Sequence, residues 1–270
     1  MEGVHMIITV GQEAVHAGYL VLINGDHPVR EDAGADRLRP IGVHGSLRGR
    51  QEGIRLEQTC LGQLAALLEA SGGEKDIVIV SGFRSRTEQA VIYRQSLAEN
   101  GKAYTSKYVA LPNHSEHQTG LAVDVGKLVR DVDFIAPTFP DDGVCGRFKQ
   151  LAAEYGFIMR YQEGKEAITR IACEPWHYRF VGRPHAALIG QHGFCLEEYI
   201  DFVRDYRYSG AHLTTKHGGG EAEIYFVPSR GDGNTPVPIV ACEAYRISGN
   251  NVDGFIVTAF HGKEFARSEA

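Results

Sequence analysis

The sequence predicts a domain of mixed helices and strands followed by a smaller β-rich tail, and three observations carry that reading. An apolar helical repeat stops at a pair of glycines, a strand runs into a capped helix, and Gly- and Asn-punctuated strand candidates fill the last sixty residues. Length and composition allow it: 270 residues with 43% apolar side chains can bury a proper core.

Taken in order, "IRLEQTCLGQLAALLEA" (54–70) spaces its apolar residues as a core-facing helix that ends before Gly72 and Gly73. "DIVIVSGF" then reads as a strand. Ser85 and Glu88 form an S-x-x-E capping box that opens a second helix, "RTEQAVIYRQSLAEN", closed by Gly101. Arg84 therefore sits at a strand-to-helix junction, where side chains point into clefts. "LAVDV" is a strand with Asp124 on the face opposite Leu121, Val123 and Val125. A polar loop, a helix near 145–155, strand candidates "FIMRY" and "AITRIAC", and the segment "EPWHYRFVG" follow. The helix "CLEEYIDFVRDY" leads into the tail, whose strand candidates are "EAEIYFV", "VPIVACEAYRI" and "DGFIVTAF". We expect a larger domain over 1–206 and a β appendage over 207–270 packed on it. The alternation of elements alone fits a parallel sheet as well as an antiparallel one.

Acidic residues outnumber basic ones 34 to 28, and no Lys/Arg run suggests a surface that tracks phosphates, so nucleic acid is not an expected partner. The apolar stretch "GYLVLINGDHPV" is far shorter than the ~20 residues that cross a bilayer. The five cysteines are scattered and form no C-x-x-C pair, which predicts free thiols and a reducing, cytoplasmic setting. A removed N-terminal anchor would instead place the chain outside the membrane. Oligomeric state is not legible.

The chemistry concentrates in "SEHQTGLAVDVG" and "EPWH". A zinc hydrolase needs three protein ligands, an open fourth position for water and a carboxylate near that water. His117, Asp124 and His177 can supply the ligands, and Glu174, stiffened by Pro175, is the natural base.

"SEHQTGLAVD" and "EPWH" match the S-x-H-x-x-G-x-A-x-D and E-x-W-H patterns of the zinc D-alanyl-D-alanine peptidases VanX, VanY and VanXY. These belong to the lysostaphin, D-Ala-D-Ala peptidase and hedgehog-like superfamily, and the resemblance covers roughly residues 19–200. It implies an α+β fold whose central, mostly antiparallel sheet carries the zinc site between flanking helices. It also implies that His117, Asp124 and His177 bind Zn2+ and that Glu174 is the general base and then acid. Arg84 would hold the scissile carbonyl, Ser115 and Gln89 would receive the substrate's terminal carboxylate, and Trp176 would wall a D-alanyl methyl group. The implied substrates are the D-Ala-D-Ala dipeptide and peptidoglycan pentapeptide precursors, whose D-Ala-D-Ala end is what vancomycin-type glycopeptides recognise. Alternatives within the resemblance are an anchored VanY-type carboxypeptidase and a non-catalytic zinc-containing binding module. Each supporting residue also has a plainer reading: Arg84 as a cap or salt bridge to the following helix, Gln89 as a solvent-facing helix residue, Ser115 as a turn, Trp176 as core.

Overall fold

The computed structural model describes residues 6–30, 33–217, 220–231 and 233–262. Its first strand, β1 (Met6–Val10), belongs to a unit made of residues 1–22 and 196–270; residues 23–195 make the other.

Within 23–195, the short strands β2 (Leu38–Pro40) and β3 (Arg55–Glu57) pair antiparallel. Pairing by residues 55–57 is why the first helix starts later than its apolar spacing suggests. α1 runs Gln58–Ser71, and Glu57 caps it by accepting from the amides of Thr59 (2.9 Å) and Cys60 (3.0 Å). It ends at Gly72, whose φ of 69° closes the helix in the left-handed conformation as expected. Leu61, Leu64, Leu67 and Leu68 form its buried stripe.

β4 (Ile77–Ser81) leads to α2 (Arg86–Tyr108), with the Ser85–Glu88 capping box formed in both directions. Gly101 (φ 76°, ψ 171°) kinks α2 rather than closing it, and the helix resumes to Tyr108. The second half is tied back by the buried Ser96–Thr105 hydroxyl pair, 2.8 Å apart. β5 (Ala122–Lys127), α3 (Gly143–Leu151), β6 (Phe157–Met159), α4 (Glu166–Thr169), β7 (His177–Phe180) and α5 (Arg183–His192) complete the unit. The expectation of a strand over "AITRIAC" is corrected: residues 166–169 form one helical turn, and Arg170 at φ 62° ends it. The sequence pattern also gave no sign of α5.

The central sheet has the order β4-β5-β7-β6 and every pairing is antiparallel. Val123 and Val125 of β5 are fully buried, so its odd-numbered face anchors the sheet and Asp124 projects from the other. Ser81, Asp124 and His177 lie in one row across three strands.

In the other unit, α6 (Leu196–Arg204) packs on a four-stranded antiparallel sheet. That sheet, ordered β11-β12-β9-β8, contains β8 (Leu213–His217), β9 (Gly220–Pro228), β11 (Ala244–Gly249) and β12 (Gly254–His261). β10 (Thr235–Ile239) pairs instead, antiparallel, with β1, which begins at the first described residue. The expected boundary at 206/207 follows the chain; this grouping follows pairing, and so takes in the N-terminal strand and α6. The apolar runs in "EIYFVP" and "GFIVTAF" are buried inside this unit, where Tyr225, Val227, Phe255 and Val257 share a core with Val237 and Ile239.

Candidate metal centre

His117 stands on a short 3-10 turn, Glu116–Thr119, that leads into β5. The turn closes at Gly120 with φ 71°, and a Cβ there would meet Leu38 Cδ2 at 2.8 Å and the Glu57 amide nitrogen at 3.2 Å. Only glycine fits both the conformation and the space, which is the physical content of the glycine three residues after the histidine.

Asp124 extends a carboxylate between two imidazoles. Its Oδ2 lies 3.1 Å from His117 Nε2 and its Oδ1 lies 2.9 Å from His177 Nδ1. The rings are edge to face with centroids 5.0 Å apart. One ligand atom from each of the three residues falls within 4.8 Å of the others, and all three side chains are buried. His117 Nδ1 donates to the Gly82 carbonyl at 2.7 Å, which leaves Nε2 as the lone-pair nitrogen facing Asp124. Two imidazoles and one carboxylate at a cleft wall suit a borderline-soft divalent cation.

The electrostatics agree with a cation site. Burial opposes charge on Asp124, but His117 and His177 together hold its carboxyl well below the usual carboxylate range. Burial lowers His117, with Asp124 opposing. Burial also works against His177, yet its contacts with Asp124 and Glu116 push it up to about 10, so the metal-free site holds a proton there. Glu174, nearly buried, has Oε2 3.8 Å from His177 Nδ1. Burial pushes its carboxyl up to about 8; His177 and Arg84 pull against this, and Asp124 adds to it.

Arg84 is not a helix cap. Its guanidinium donates to Gln89 Oε1 (2.8 Å) and Ser81 Oγ (3.0 Å), with Asp124 Oδ2 4.0 Å away. Gln89 is buried rather than solvent-facing: Oε1 accepts from Arg84 and Nε2 donates to the Ala110 carbonyl at 2.7 Å. Ser115 and Trp176 are also buried and line the same cavity of about 60 Å³ as the three candidate ligands, Glu174 and Arg84.

Four residues of the site, Glu116, Arg160, Arg179 and Tyr161, were not foreseen. Glu116, inside the S-x-H motif, is 1% exposed, and its Oε1 accepts from Arg160 Nε and Arg179 Nη1, both at 2.8 Å. Among the described residues its Oε2 has no hydrogen-bond partner, nor does His177 Nε2, and the two atoms face each other at 3.6 Å. Tyr161 lies against the His177 ring at 5.0 Å and the Arg160 guanidinium covers its face. The available signal was the charge at position 116 next to a candidate ligand, but the arginines that answer it lie 44 and 63 residues away.

Residues 53–183 match the family model VanY, D-alanyl-D-alanine carboxypeptidase. The chain is 43% identical over 187 residues to the bifunctional D-Ala-D-Ala dipeptidase and D-Ala-D-Ala carboxypeptidase VanXYC of Enterococcus gallinarum, a match spanning 68% of this chain and 94% of that protein. A crystal structure of the vancomycin resistance D,D-dipeptidase VanXYg with a D-Ala-D-Ala phosphinate analogue superposes with a TM-score of 0.87 at 41% identity, over 95% of this chain and 100% of that one. A VanY D,D-pentapeptidase variant from a VanB-type resistance cassette, solved with Zn(II), matches at a TM-score of 0.54 and 29% identity, over 67% of this chain and 98% of that one. Motif, antiparallel sheet and buried His-Asp-His group therefore converge, and the chain belongs to the VanY D-alanyl-D-alanine carboxypeptidase family.

Proposed function

We propose that this chain is a zinc D,D-peptidase that hydrolyses the bond between the two D-alanines of the D-Ala-D-Ala dipeptide and of peptidoglycan pentapeptide precursors. The observation that carries the reading is the joint placement of Glu174 and Arg84 on the cavity that holds His117, Asp124 and His177. His117, Asp124 and His177 would hold a zinc ion, which would supply Lewis acidity to a water and to the scissile carbonyl.

The remaining work falls to side chains. Glu174 takes a proton from the attacking water and passes it to the leaving amine. A carboxyl pushed up to about 8 can both accept and release a proton near neutral pH. Arg84, pre-oriented by Ser81 and Gln89, donates to the oxygen that becomes negative in the transition state, and pre-orientation makes that contact cheap to use. Ser115 Oγ and the second Nε2 hydrogen of Gln89 receive the terminal carboxylate, and Trp176 walls the D-alanyl methyl. Glu116, held by two arginines, sets its Oε2 3.6 Å from His177 Nε2, so its charge lies behind the imidazole while Nδ1 faces Asp124.

Such an activity removes the D-Ala-D-Ala end of cell-wall precursors, the chemistry that underlies glycopeptide resistance in relatives named for it. The five free cysteines fit a cytoplasmic setting, and no helix among the described residues is long and apolar enough to cross a membrane. The test is D-alanine release from D-Ala-D-Ala and from a pentapeptide, each with and without a zinc chelator. Release that chelation leaves unchanged would overturn the metal mechanism, and no release from either substrate would favour a binding module.

A further inference from the structure

A peptide of five residues needs more room than the catalytic cavity offers, since each extended residue adds roughly 3.5 Å. Two further cavities adjoin it. One, of about 170 Å³, shares Val109, Ala110, Tyr161 and Ile171 with the catalytic cavity. The other, of about 290 Å³, shares Arg84, Ile92 and Phe134.

On the peptidase reading, which this inference rests on, substrate direction separates the two. The terminal carboxylate lies at Gln89, whose Nε2 donates to the Ala110 carbonyl, so the cavity behind Ala110 lies past the end of the substrate chain. The scissile carbonyl lies at Arg84. Residues on its amino side leave the cleft past Arg84, into the larger groove.

The groove has the chemistry of a peptide subsite with one cationic anchor point for an anion. Phe83, Ile92, Val91 and Phe134 supply apolar wall. Glu88 at its rim accepts from the Ser85 amide at 2.8 Å and the Ser85 hydroxyl at 2.7 Å, and these hydrogen bonds, with the charges of Arg55 and Arg84 helping, hold its carboxyl below the usual range. Arg55, also at the rim and exposed, lies with its guanidinium 5.2 Å over the Phe83 ring and forms no ion pair among the described residues. A guanidinium stacked on an aromatic face keeps its forked donors pointing outward, ready for a carboxylate.

We propose that this groove is the subsite for the peptide upstream of the D-Ala-D-Ala bond, and that Arg55 binds a free carboxylate carried by that upstream segment. Arg55 thus sets preference for the precursor peptide over the free dipeptide and takes no part in bond cleavage.

The experiment compares the metal-loaded wild type with Arg55→Ala and Arg55→Lys on three synthetic substrates. These are D-Ala-D-Ala, the pentapeptide L-Ala-γ-D-Glu-L-Lys-D-Ala-D-Ala, and the same pentapeptide with the D-Glu α-carboxylate amidated. Arg55→Ala should raise KM for the carboxylate pentapeptide roughly tenfold, the scale of one lost charge-assisted contact, with kcat within about twofold and dipeptide kinetics unchanged. Arg55→Lys should recover part of that loss. Wild type should handle the amidated peptide as Arg55→Ala handles the acid, and Arg55→Ala should weaken the amidated peptide no further. Val91→Trp, which fills the groove from an exposed helix position, should also raise pentapeptide KM selectively. Equal losses on dipeptide and pentapeptide, or no loss on either, would each overturn the groove assignment while leaving the peptidase reading intact; cleavage of the dipeptide alone by wild type would overturn the groove assignment and the pentapeptide half of that reading. If wild type releases D-alanine from none of the three, the peptidase reading fails and takes the groove with it.

Discussion

Both units bury apolar side chains, but among the described residues the one of residues 23–195 also buries a cluster of charged ones. The core of the C-terminal β unit includes Tyr225, Val227, Val237, Ile239, Phe255 and Val257, and a His-Glu-His contact there, His212–Glu223–His261, sits in part-exposed positions. The central sheet of residues 23–195 instead buries Glu116, Asp124, Glu174, Arg160, Arg179, His117 and His177. Burying charge is costly unless every charge is answered, and apolar replacements of equal volume commonly stabilise a fold more. A sheet that carries so many charges inside has given up stability for a site, whereas the β unit has the economy of a region whose work is packing.

Four substitutions or conditions break or sharpen that contrast, from the largest effect down. Glu174→Ala should lower kcat roughly 10²-fold or more, the scale of removing a positioned acid–base group, with bound metal and melting temperature retained. Activity within a few-fold of wild type would assign the base elsewhere. In the β unit the same kind of truncation should act on stability: Phe255→Ala, fully buried in an apolar core, should cost about 3–5 kcal/mol in a denaturant titration. The soluble folded fraction should keep its specific activity.

Glu116→Gln keeps the volume of a buried side chain but removes the charge answered by Arg160 and Arg179. It should weaken metal binding roughly 10- to 100-fold in a chelator competition, as loss of a partner behind a ligating histidine does elsewhere. Unchanged affinity would make Glu116 purely structural. The smallest effect is a proton count. His177, raised to about 10, is protonated in the metal-free protein at neutral pH, while burial keeps His117 neutral. A ligating histidine must be neutral, so metal binding should release about one proton per ion near pH 7, and affinity should rise with pH up to the neighbourhood of 10. Calorimetry in buffers of different ionisation enthalpy reads that proton; a count of zero would contradict the charge state drawn here.

How legible the molecule was depends on how local each feature is. The capping box at Ser85 and the stop at Gly72 were readable because each involves atoms a few residues apart. The candidate ligand set could be proposed for a different reason: a hydrolytic zinc site permits few residue types, and the two motifs contain them. What failed was anything decided by pairing. Residues 55–57 carried helical spacing yet joined a strand pair, and "AITRIAC" had strand composition yet found no neighbouring strand to pair with, turning instead through Arg170 in the left-handed region.

The site divides along the same line. By itself the sequence determined which atoms could bind a metal, that Asp124 would face away from Val123 and Val125, and that the tail would be β, because residue chemistry and the two-residue period of a strand are properties of the chain alone. The tertiary structure decided that Asp124 and His177 are opposite one another across β5 and β7, that Gln89 turns inward to hold Arg84, that Glu116 stands behind His177 with two arginines, and that β1 pairs with β10. Each of these is a contact between residues brought together by strand register or packing. No local propensity encodes a register 53 residues long; it is set by the burial of whole faces at once.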